Sequence, residues 1–456
     1  MRGTVSLSLL ASALVVNAMA ADSLESMFKE GKASGQLRAF YIDRDSSGAS
    51  TVERDGLTIG GYLKYETGSL NGLSAGTAFY TTNKLDNRSS VPAENDLTLF
   101  GPNGNNESYL GEAYLQYKYG NTAFKAGRQK LDTPLAGSDD ARMLPSLFEA
   151  YVLSNTDVKD TTLIAVYVTK FAAGTFANAY TFADATLTAN TAANRAKNAA
   201  AQTLALTSGY SGVFDATTMV GNFTNMGQYA IGQNTNGVSV AAAIYSGIPG
   251  LKLQLWDYYA HDILNAIYAE ANYGWSYSSG VAPYVAVQWI NERDVGANSV
   301  INKVDSDFIA AKAGVKVGNF DVYGAMSHNS SDDSATIHGG TITPWGGMPA
   351  YTQGMVTRHQ FMAGADAWKV AGTYNFKDMG ANMTASVYYA SFDVEGYTGS
   401  YTVGKTTEPG FDLIWNPEAV KNLQLRFRGN FPDKFKNTAT TDTSWDEYRF
   451  IANYNF

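Results

Sequence analysis

Apolar and polar side chains alternate along the chain in segments of about ten residues. In residues 57–66, the odd positions include Ile59 and Leu63, whereas the even positions include Lys64 and Glu66. Successive side chains of a β-strand point to opposite faces, so each segment predicts a strand with one apolar and one polar face. The same alternation recurs in residues 109–119, 309–317 and 423–431.

Aromatic residues stand at the ends of many apolar rows, namely at Tyr65, Phe79, Tyr119, Trp275, Trp289, Phe376, Tyr389 and Trp415. A soluble β-sandwich also has strands of period two, but its apolar face forms its core. Girdles of Tyr, Trp and Phe are typical of a barrel whose outer face contacts lipid. The repeated aromatic ends therefore favour an all-β transmembrane barrel.

The connections between the segments alternate in length. Tight turns are predicted at Asn71–Gly72, Gly120–Asn121, Ser279–Gly280 and Gly318–Asn319, because Gly and Asn tolerate positive φ. Long polar connections are predicted at about 84–107, 131–147, 172–237, 329–358 and 433–445. This alternation predicts an antiparallel up-and-down barrel of about 18 strands. An apolar row that ends at Phe456 allows the last strand to pair with the first and close the sheet.

The N-terminus has the features of a secretory signal peptide. Arg2 precedes a short apolar run from Val5 to Val16, and Ala18-Met19-Ala20 fits a cleavage site of small residues. We expect residues 1–20 to be removed on export and residues 21–456 to form a single barrel domain. No later segment has the roughly 18 apolar residues that a transmembrane helix needs.

Composition and motifs exclude several classes. The chain has no Cys, which excludes disulfides and thiolate metal sites, and its net charge of -9 argues against a general nucleic-acid-binding protein. No nucleophile elbow, phosphate loop or metal-ligand cluster is present in the sequence. His261 and Asp262 do not form a catalytic pair as strand neighbours, because their side chains would point to opposite faces. We therefore expect no enzymatic activity, no cofactor and no metal site. The acidic run Ser330–Ser334 fits a solvated loop, with a divalent-cation site as its alternative.

Basic residues recur on the polar faces that would line the lumen. The predicted ladder is Arg38, Lys64, Arg128, Lys130, Lys312, Lys316, Arg426, Arg428 and Arg449, with Lys369 as a further wall cation. A charge on the lipid face near the midplane costs roughly 2–4 kcal/mol, so we expect these groups to face water inside the barrel. Rings of Arg or Lys in a pore favour anions. The alternative is a set of scattered wall charges, each paired with a nearby acid.

Several stretches carry a family resemblance. They are Ser34–Arg38 with Tyr41–Asp45, Gly127–Leu135, Ser138–Pro145 with Phe148–Tyr151, and Leu253–Ala260. In these stretches the chain resembles the OprD-like outer-membrane porins. The resemblance implies a barrel of about 18 strands whose third external loop folds into the lumen, and a row of basic side chains along which anionic solutes such as carboxylates move. The terminal Phe456 resembles the signal that such proteins present to the barrel-assembly machinery.

The connection at 131–147 has two interpretations. The resemblance implies a constriction loop, in which Asp132, Asp139, Asp140 and Arg142 line the narrowest point. The residues alone also fit an ordinary external loop whose Asp and Ser side chains cap short helices.

The leading functional hypothesis is a porin in the outer membrane of a Gram-negative bacterium, through which ions and small hydrophilic solutes diffuse passively. A substrate-specific channel for small organic acids is the alternative within transport, and an outer-membrane enzyme or an adhesin with a filled lumen comes from another class. The expected partners are outer-membrane lipid and lipopolysaccharide, small solutes and ions, and the barrel-assembly machinery, with no nucleic acid. The sequence is compatible with both a homotrimer and a monomer.

Overall fold

The structure, a computed structural model, describes residues 21–48, 53–85, 94–175, 220–231, 233–296, 303–342, 344–347, 349–394, 404–438 and 441–456. The predicted signal peptide, residues 1–20, lies outside these residues. Among the described residues, no helix has the length and the apolar character needed to span a membrane.

Eighteen strands in the described ranges form one closed sheet. They are β1 (Lys32–Gly48), β2 (Glu53–Glu66), β3 (Leu73–Lys84), β4 (Glu107–Tyr119), β5 (Thr122–Gln129), β6 (Leu147–Asn155), β7 (Thr161–Ala172), β8 (Val238–Tyr245), β9 (Leu251–Ala260), β10 (Leu264–Gly274), β11 (Val281–Asp294), β12 (Asp305–Val317), β13 (Phe320–Asn329), β14 (Ala365–Asn375), β15 (Met383–Val394), β16 (Lys405–Trp415), β17 (Leu423–Asn430) and β18 (Thr441–Asn455). Each strand pairs antiparallel with the next, and β1 pairs with β18 to close the barrel. The predicted 18-stranded up-and-down barrel is confirmed.

Short elements occupy the connections of the described chain. The helices are α1 (Leu24–Lys29) and α2 (Met226–Ile231), and 3₁₀ helices span Leu97–Leu99, Pro102–Gly104, Thr336–Gly339, His359–Phe361 and Phe376–Met379. Further short strands are Asp132–Thr133, Ala136–Gly137, Thr224–Asn225 and Lys436–Thr438. The predicted tight turn at Asn71 and Gly72 is present, with φ of 52° and 89°, values that Asn and Gly accept.

Burial alternates along the strands and defines two faces. In β1, Arg38, Phe40 and Ile42 are buried, whereas Leu37 is 55% exposed. Residues that are paired in the strand register have side chains on the same face, so each strand has one inward and one outward row. Large apolar side chains such as Leu115 are exposed on the outward rows, as expected for a surface in contact with lipid.

A hydrophobic cluster fills part of the interior. Trp256 and Tyr258, inward residues of β9, belong to one buried cluster with Tyr229 of α2 and with Ile342 and Trp345 of the connection between β13 and β14. The connection predicted at 329–358 is present between β13 and β14, but apolar residues within it are buried instead of facing water. Its apolar residues are removed from water by packing against the inward wall, which is favourable for apolar surface.

Candidate functional site

The connection between β5 and β6, residues 130–146, contacts two walls of the barrel. Nη1 of Arg38 in β1 lies 2.7 Å from Oδ1 of Asp140. The backbone N–H of Leu135 donates a hydrogen bond of 3.3 Å to the hydroxyl of Tyr258 in β9. Since β9 is the ninth of eighteen strands counted from β1, these two contacts lie on nearly opposite sides of the barrel.

Asp140 holds two cations beside the wall. Its Oδ1 contacts Arg38, and its Oδ2 lies 3.3 Å from Nζ of Lys130. Loss of hydration raises the pKa of Asp140, but the charges of Arg38 and Lys130 outweigh this effect, so the pKa lies below its ordinary value. Asp140 is therefore ionised at neutral pH.

Three arginines surround one buried carboxylate, and we call them the arginine cluster: Arg44, Arg142 and Arg449. Glu447 of β18 lies 2.8 Å from Nη2 of Arg44, 3.0 Å from Nη2 of Arg142 and 2.6 Å from Nε of Arg449. Burial, followed by the charge of Arg449, lowers the pKa of Arg142 to about 10. Arg142 is thus still charged at neutral pH, and it links the loop to the wall.

Two further arginines continue this wall. Asp412 of β16 lies 3.3 Å from Nε of Arg428 and accepts a hydrogen bond of 2.7 Å from Nε of Arg426. Arg428 stands directly opposite Arg449 in the register of β17 and β18. The closure of the barrel thus brings arginines from the N-terminal and C-terminal strands onto one wall.

A pocket of about 320 Å³ lies between the loop and the wall formed by the first five strands. Its lining includes four cations, Arg38, Lys64, Lys125 and Lys130, and three carboxylates, Glu112, Asp132 and Asp140. Lys64 pairs with Glu66 and Glu112, each at 3.4 Å. Nζ of Lys125 lies 3.7 Å from the ring centroid of Tyr114.

The prediction that Arg128 belongs to the lumen wall is wrong. The tight turn after β4 pairs Tyr119 with Thr122, and this register places Arg128 opposite the outward-facing Ala113. Lys125, on the other row of β5, is buried inside instead. A tight turn fixes which residues of the next strand share a face, so the sequence held the signal for Lys125.

The predicted lysines of the ladder stand on a different wall. Lys312 of β12 lies among tyrosine rings, with its Nζ 4.4 Å from the ring centroid of Tyr351. Lys316 pairs with Asp321 at 3.6 Å. Strand β12 is six places from β18 in the sheet, so the structure does not bring these lysines together with the arginine cluster.

A second long connection, residues 330–364, contacts the first. The backbone N–H of Gly347 donates a hydrogen bond of 3.2 Å to Oδ1 of Asp139, and Nη1 of Arg358 lies 3.9 Å from Oδ2 of the same residue. Gly347 has a φ of 84°, and a Cβ there would lie 2.3 Å from the carbonyl oxygen of Pro134. The two connections therefore approach each other as closely as a glycine allows.

Most of the predicted ladder is paired with carboxylates. Ion-pair distances within 4 Å join acids to Arg38, Lys64, Arg128, Lys130, Lys316, Arg426, Arg428 and Arg449. Within the described ranges, Lys312 has no such carboxylate. The sequence reasoning missed Arg44, Lys125 and the carboxylate Glu447. Arg44 and Arg142 reach Glu447 from more than 300 positions away in the chain, so no local pattern connects them.

Comparisons with known proteins agree with this architecture. The family model described as "outer membrane porin, OprD family" matches residues 25–217 and 215–456. The crystal structure of OpdK from Pseudomonas aeruginosa with vanillate aligns with a TM-score of 0.71 at 16% identity, covering 94% of this chain and 99% of that one. OccK2 (OpdF) of the same organism, in complex with glucuronate, aligns with a TM-score of 0.70 at 18% identity over the same shares. The search of curated proteins found no match.

The solved structures share the barrel fold, and at these identities they show the fold alone. OccK9 (OpdG) of Pseudomonas aeruginosa also aligns over 94% of this chain and 99% of its own, with a TM-score of 0.71 at 20% identity. The family model covers nearly the whole described barrel. From the closed 18-stranded barrel and this match, the chain belongs to the OprD family of outer-membrane porins.

Proposed function

We propose that this porin passes small anionic solutes, and that residues 130–146 form its constriction. The supporting observation is the pocket between that loop and the wall of β1 to β5, where cations outnumber carboxylates by four to three. The arginine cluster adds three guanidinium groups beside two buried carboxylates, Glu447 and Asp96. In a narrow pore with low-dielectric walls, such an excess of positive charge raises the local concentration of anions.

The proposed constriction is argued from the loop's contacts. Asp140 and Arg142 engage the wall at β1 and β18, while Leu135 engages β9 on the far side. A loop held at both sides narrows the passage to what remains between it and the wall. Asp132 and Asp140 would then line this remaining gap beside Arg38.

Small organic acids are the proposed solute class for a specific channel. Two structural neighbours were solved with vanillate and with glucuronate, which are both carboxylates. Arginine suits such solutes, because its planar guanidinium binds a carboxylate through two parallel hydrogen bonds. Paired wall charges leave the solute to compete with the protein's own carboxylates, so binding along the wall should be weak enough to permit release.

We infer that this barrel contacts the same membrane components and the same assembly machinery as other outer-membrane barrels. The apolar outward rows would contact outer-membrane lipid and lipopolysaccharide, and the barrel-assembly machinery would insert the exported chain. Native mass spectrometry of the purified protein would distinguish a homotrimer from a monomer.

The function is tested by single-channel recording in a planar bilayer, with the reversal potential measured across a KCl gradient. We expect discrete conductance steps and a reversal potential of the sign for anion preference. Cation preference would contradict the role given to Arg38 and the arginine cluster. No conductance from a folded, heat-modifiable barrel would instead support a structural or adhesin barrel, which the buried interior cluster around Trp256 also fits.

Catalysis is not part of the proposal. The family and the structural neighbours are porins and channels. His261 and Asp262 lie in the turn between β9 and β10 and not in a strand, and Nε2 of His261 is 3.0 Å from Oγ of Ser239. Hydrolysis of ester or peptide substrates by the purified barrel would overturn the expectation that it has no catalytic role.

A further inference from the structure

Three charged side chains form a group on the outer face of the barrel, at the end of β5, β6 and β7 that joins the long loops. We call this group, Arg128, Glu149 and Lys170, the rim site. Arg128 is opposite Glu149, and Glu149 is opposite Lys170, in the strand register. Nε of Arg128 lies 3.8 Å from Oε2 of Glu149, and Nζ of Lys170 lies 3.1 Å from Oε1. With two cations and one carboxylate, the site has a net charge of +1.

The rim site lies beside a pair of outward-facing tyrosines, Tyr151 and Tyr167, on the side nearer the long loops. Tyr151 lies two residues farther from the loops than Glu149 on β6, and its ring stacks on Tyr167 of β7 at a centroid distance of 6.4 Å. Both rings are exposed on the outward face. Two residues of a strand advance about 7 Å, and outward aromatics mark the headgroup level of a barrel. The rim site is therefore at the depth of the lipid phosphates.

The barrel wall is short at this place. Strands β5 and β6 have 8 and 9 residues, compared with 14 in β2. The headgroup of a neighbouring lipid can therefore lie over the strand ends and contact Arg128 and Lys170. Their side chains are 40% and 42% exposed.

The guanidinium of Arg128 is positioned by two neighbours and still has hydrogen-bond donors available. Its guanidinium lies 4.2 Å from the ring centroid of Phe223, and its Nε faces Glu149. Among the described residues, no hydrogen bond or ion pair engages its Nη1 or Nη2. A flat guanidinium with two available nitrogens suits bidentate binding of a phosphate.

The charge of the rim site contrasts with other parts of the rim. Arg293 on β11 and Lys303 lie within 4 Å of three carboxylates, Asp305, Asp307 and Asp332, so that group is negative. Asp43 and Asp45 face outward on β1 without a cation opposite them in β2. An anionic headgroup would be repelled at these places and attracted at the rim site.

We propose that the rim site binds a phosphate group of an anionic glycolipid of the outer leaflet, with Arg128 as the bidentate donor and Lys170 as the second cation. This site is outside the lumen and independent of solute passage. Glu149 orients both cations and limits their affinity, because it neutralises one of the two charges.

The test is native mass spectrometry of the full barrel in detergent, titrated with lipid A that carries both phosphates. The variant R128Q/K170Q should bind lipid A about tenfold or more weakly, as expected for the loss of charge-assisted contacts. The control K159Q/K421Q removes two exposed lysines from the short connections after β6 and β16, at the other end of the barrel, and should bind as the wild type does. Glu149→Gln should bind more tightly. Heat-modifiable migration shows that each variant is folded, and each single variant should lose part of the affinity if the double variant does not fold.

Three results would overturn the proposal. The first is unchanged binding of lipid A by folded R128Q/K170Q. The second is displacement of lipid A by inorganic phosphate at equal concentration, which would make this a site for free phosphate. The third is a change in oligomeric state of R128Q/K170Q with unchanged affinity for lipid A, which would mean that a second copy of the chain covers these residues.

Discussion

The loop 130–146 should detach more readily from the wall when Arg142 is replaced by Met. Met has similar length and no charge, so the substitution removes the ion pair with Glu447 and the hydrogen bond to Thr98. Glu447 retains Arg44 and Arg449, so the buried carboxylate is not left without a partner. A hydrogen bond to a charged group contributes about 1.5–3 kcal/mol, and we expect the loop to lose this much docking free energy.

This loss should raise the population of the detached loop by roughly 10- to 100-fold, because 1.4 kcal/mol corresponds to a factor of ten. Single-channel recording would show it as more time spent in states of higher conductance. Lys159→Met, in the exposed turn between β6 and β7, is the matched control and should leave the recording unchanged. A folded Arg142→Met channel with wild-type conductance and dwell times would refute the reasoning.

Three further predictions follow from the same contacts. Lys125→Glu should shift the reversal potential towards cation preference, whereas Arg128→Glu should leave it unchanged because that side chain is outside the lumen; equal shifts would contradict the assignment of the two faces. A carboxylate whose pKa is depressed on folding contributes stability above its unfolded pKa, so the contacts of Asp140 should hold as the pH falls from 7 to about 4 and be lost only below that. Conductance that changes near pH 5 would argue against this. Gly347→Ala should lower the free energy of unfolding by about 1–2 kcal/mol, because its φ is positive and its new Cβ would clash; the urea midpoint of the heat-modifiable form measures this loss. Gly280→Ala is the control, because Gly280 has a φ of 81° but open space around it, so only backbone strain acts there.

The side of the barrel to which a strand residue points was predictable only where the local sequence pattern shows it. Lys64 and Glu112 alternate with apolar neighbours, and both lie on the inward row as predicted. The polar face of the segment and the cost of a charge in lipid predict that Arg128 lies inside, but the short β5 puts it at the rim, where that cost is small. The pairing of Tyr119 with Thr122 across a tight turn was the better guide to its face.

The candidate site depended on contacts that the sequence does not contain. Glu447 meets Arg44 and Arg142 across more than 300 positions of the chain, and no local pattern marks a carboxylate that three arginines share. The sequence predicts a long polar connection at 329–358, and no local pattern there marks Trp345 as a buried residue. Its burial against the inward wall becomes visible only when the barrel surrounds it.

The sequence by itself determined the architecture of this protein. Alternating side chains, tight turns of Asn and Gly, and aromatic row ends specify strands that must pair with their neighbours and close, because an open sheet edge in lipid would leave backbone groups unsatisfied. The tertiary structure alone decided which charges meet inside the barrel and which loops approach each other. These features depend on distances between segments far apart in the chain, and closure of the sheet is the step that sets those distances.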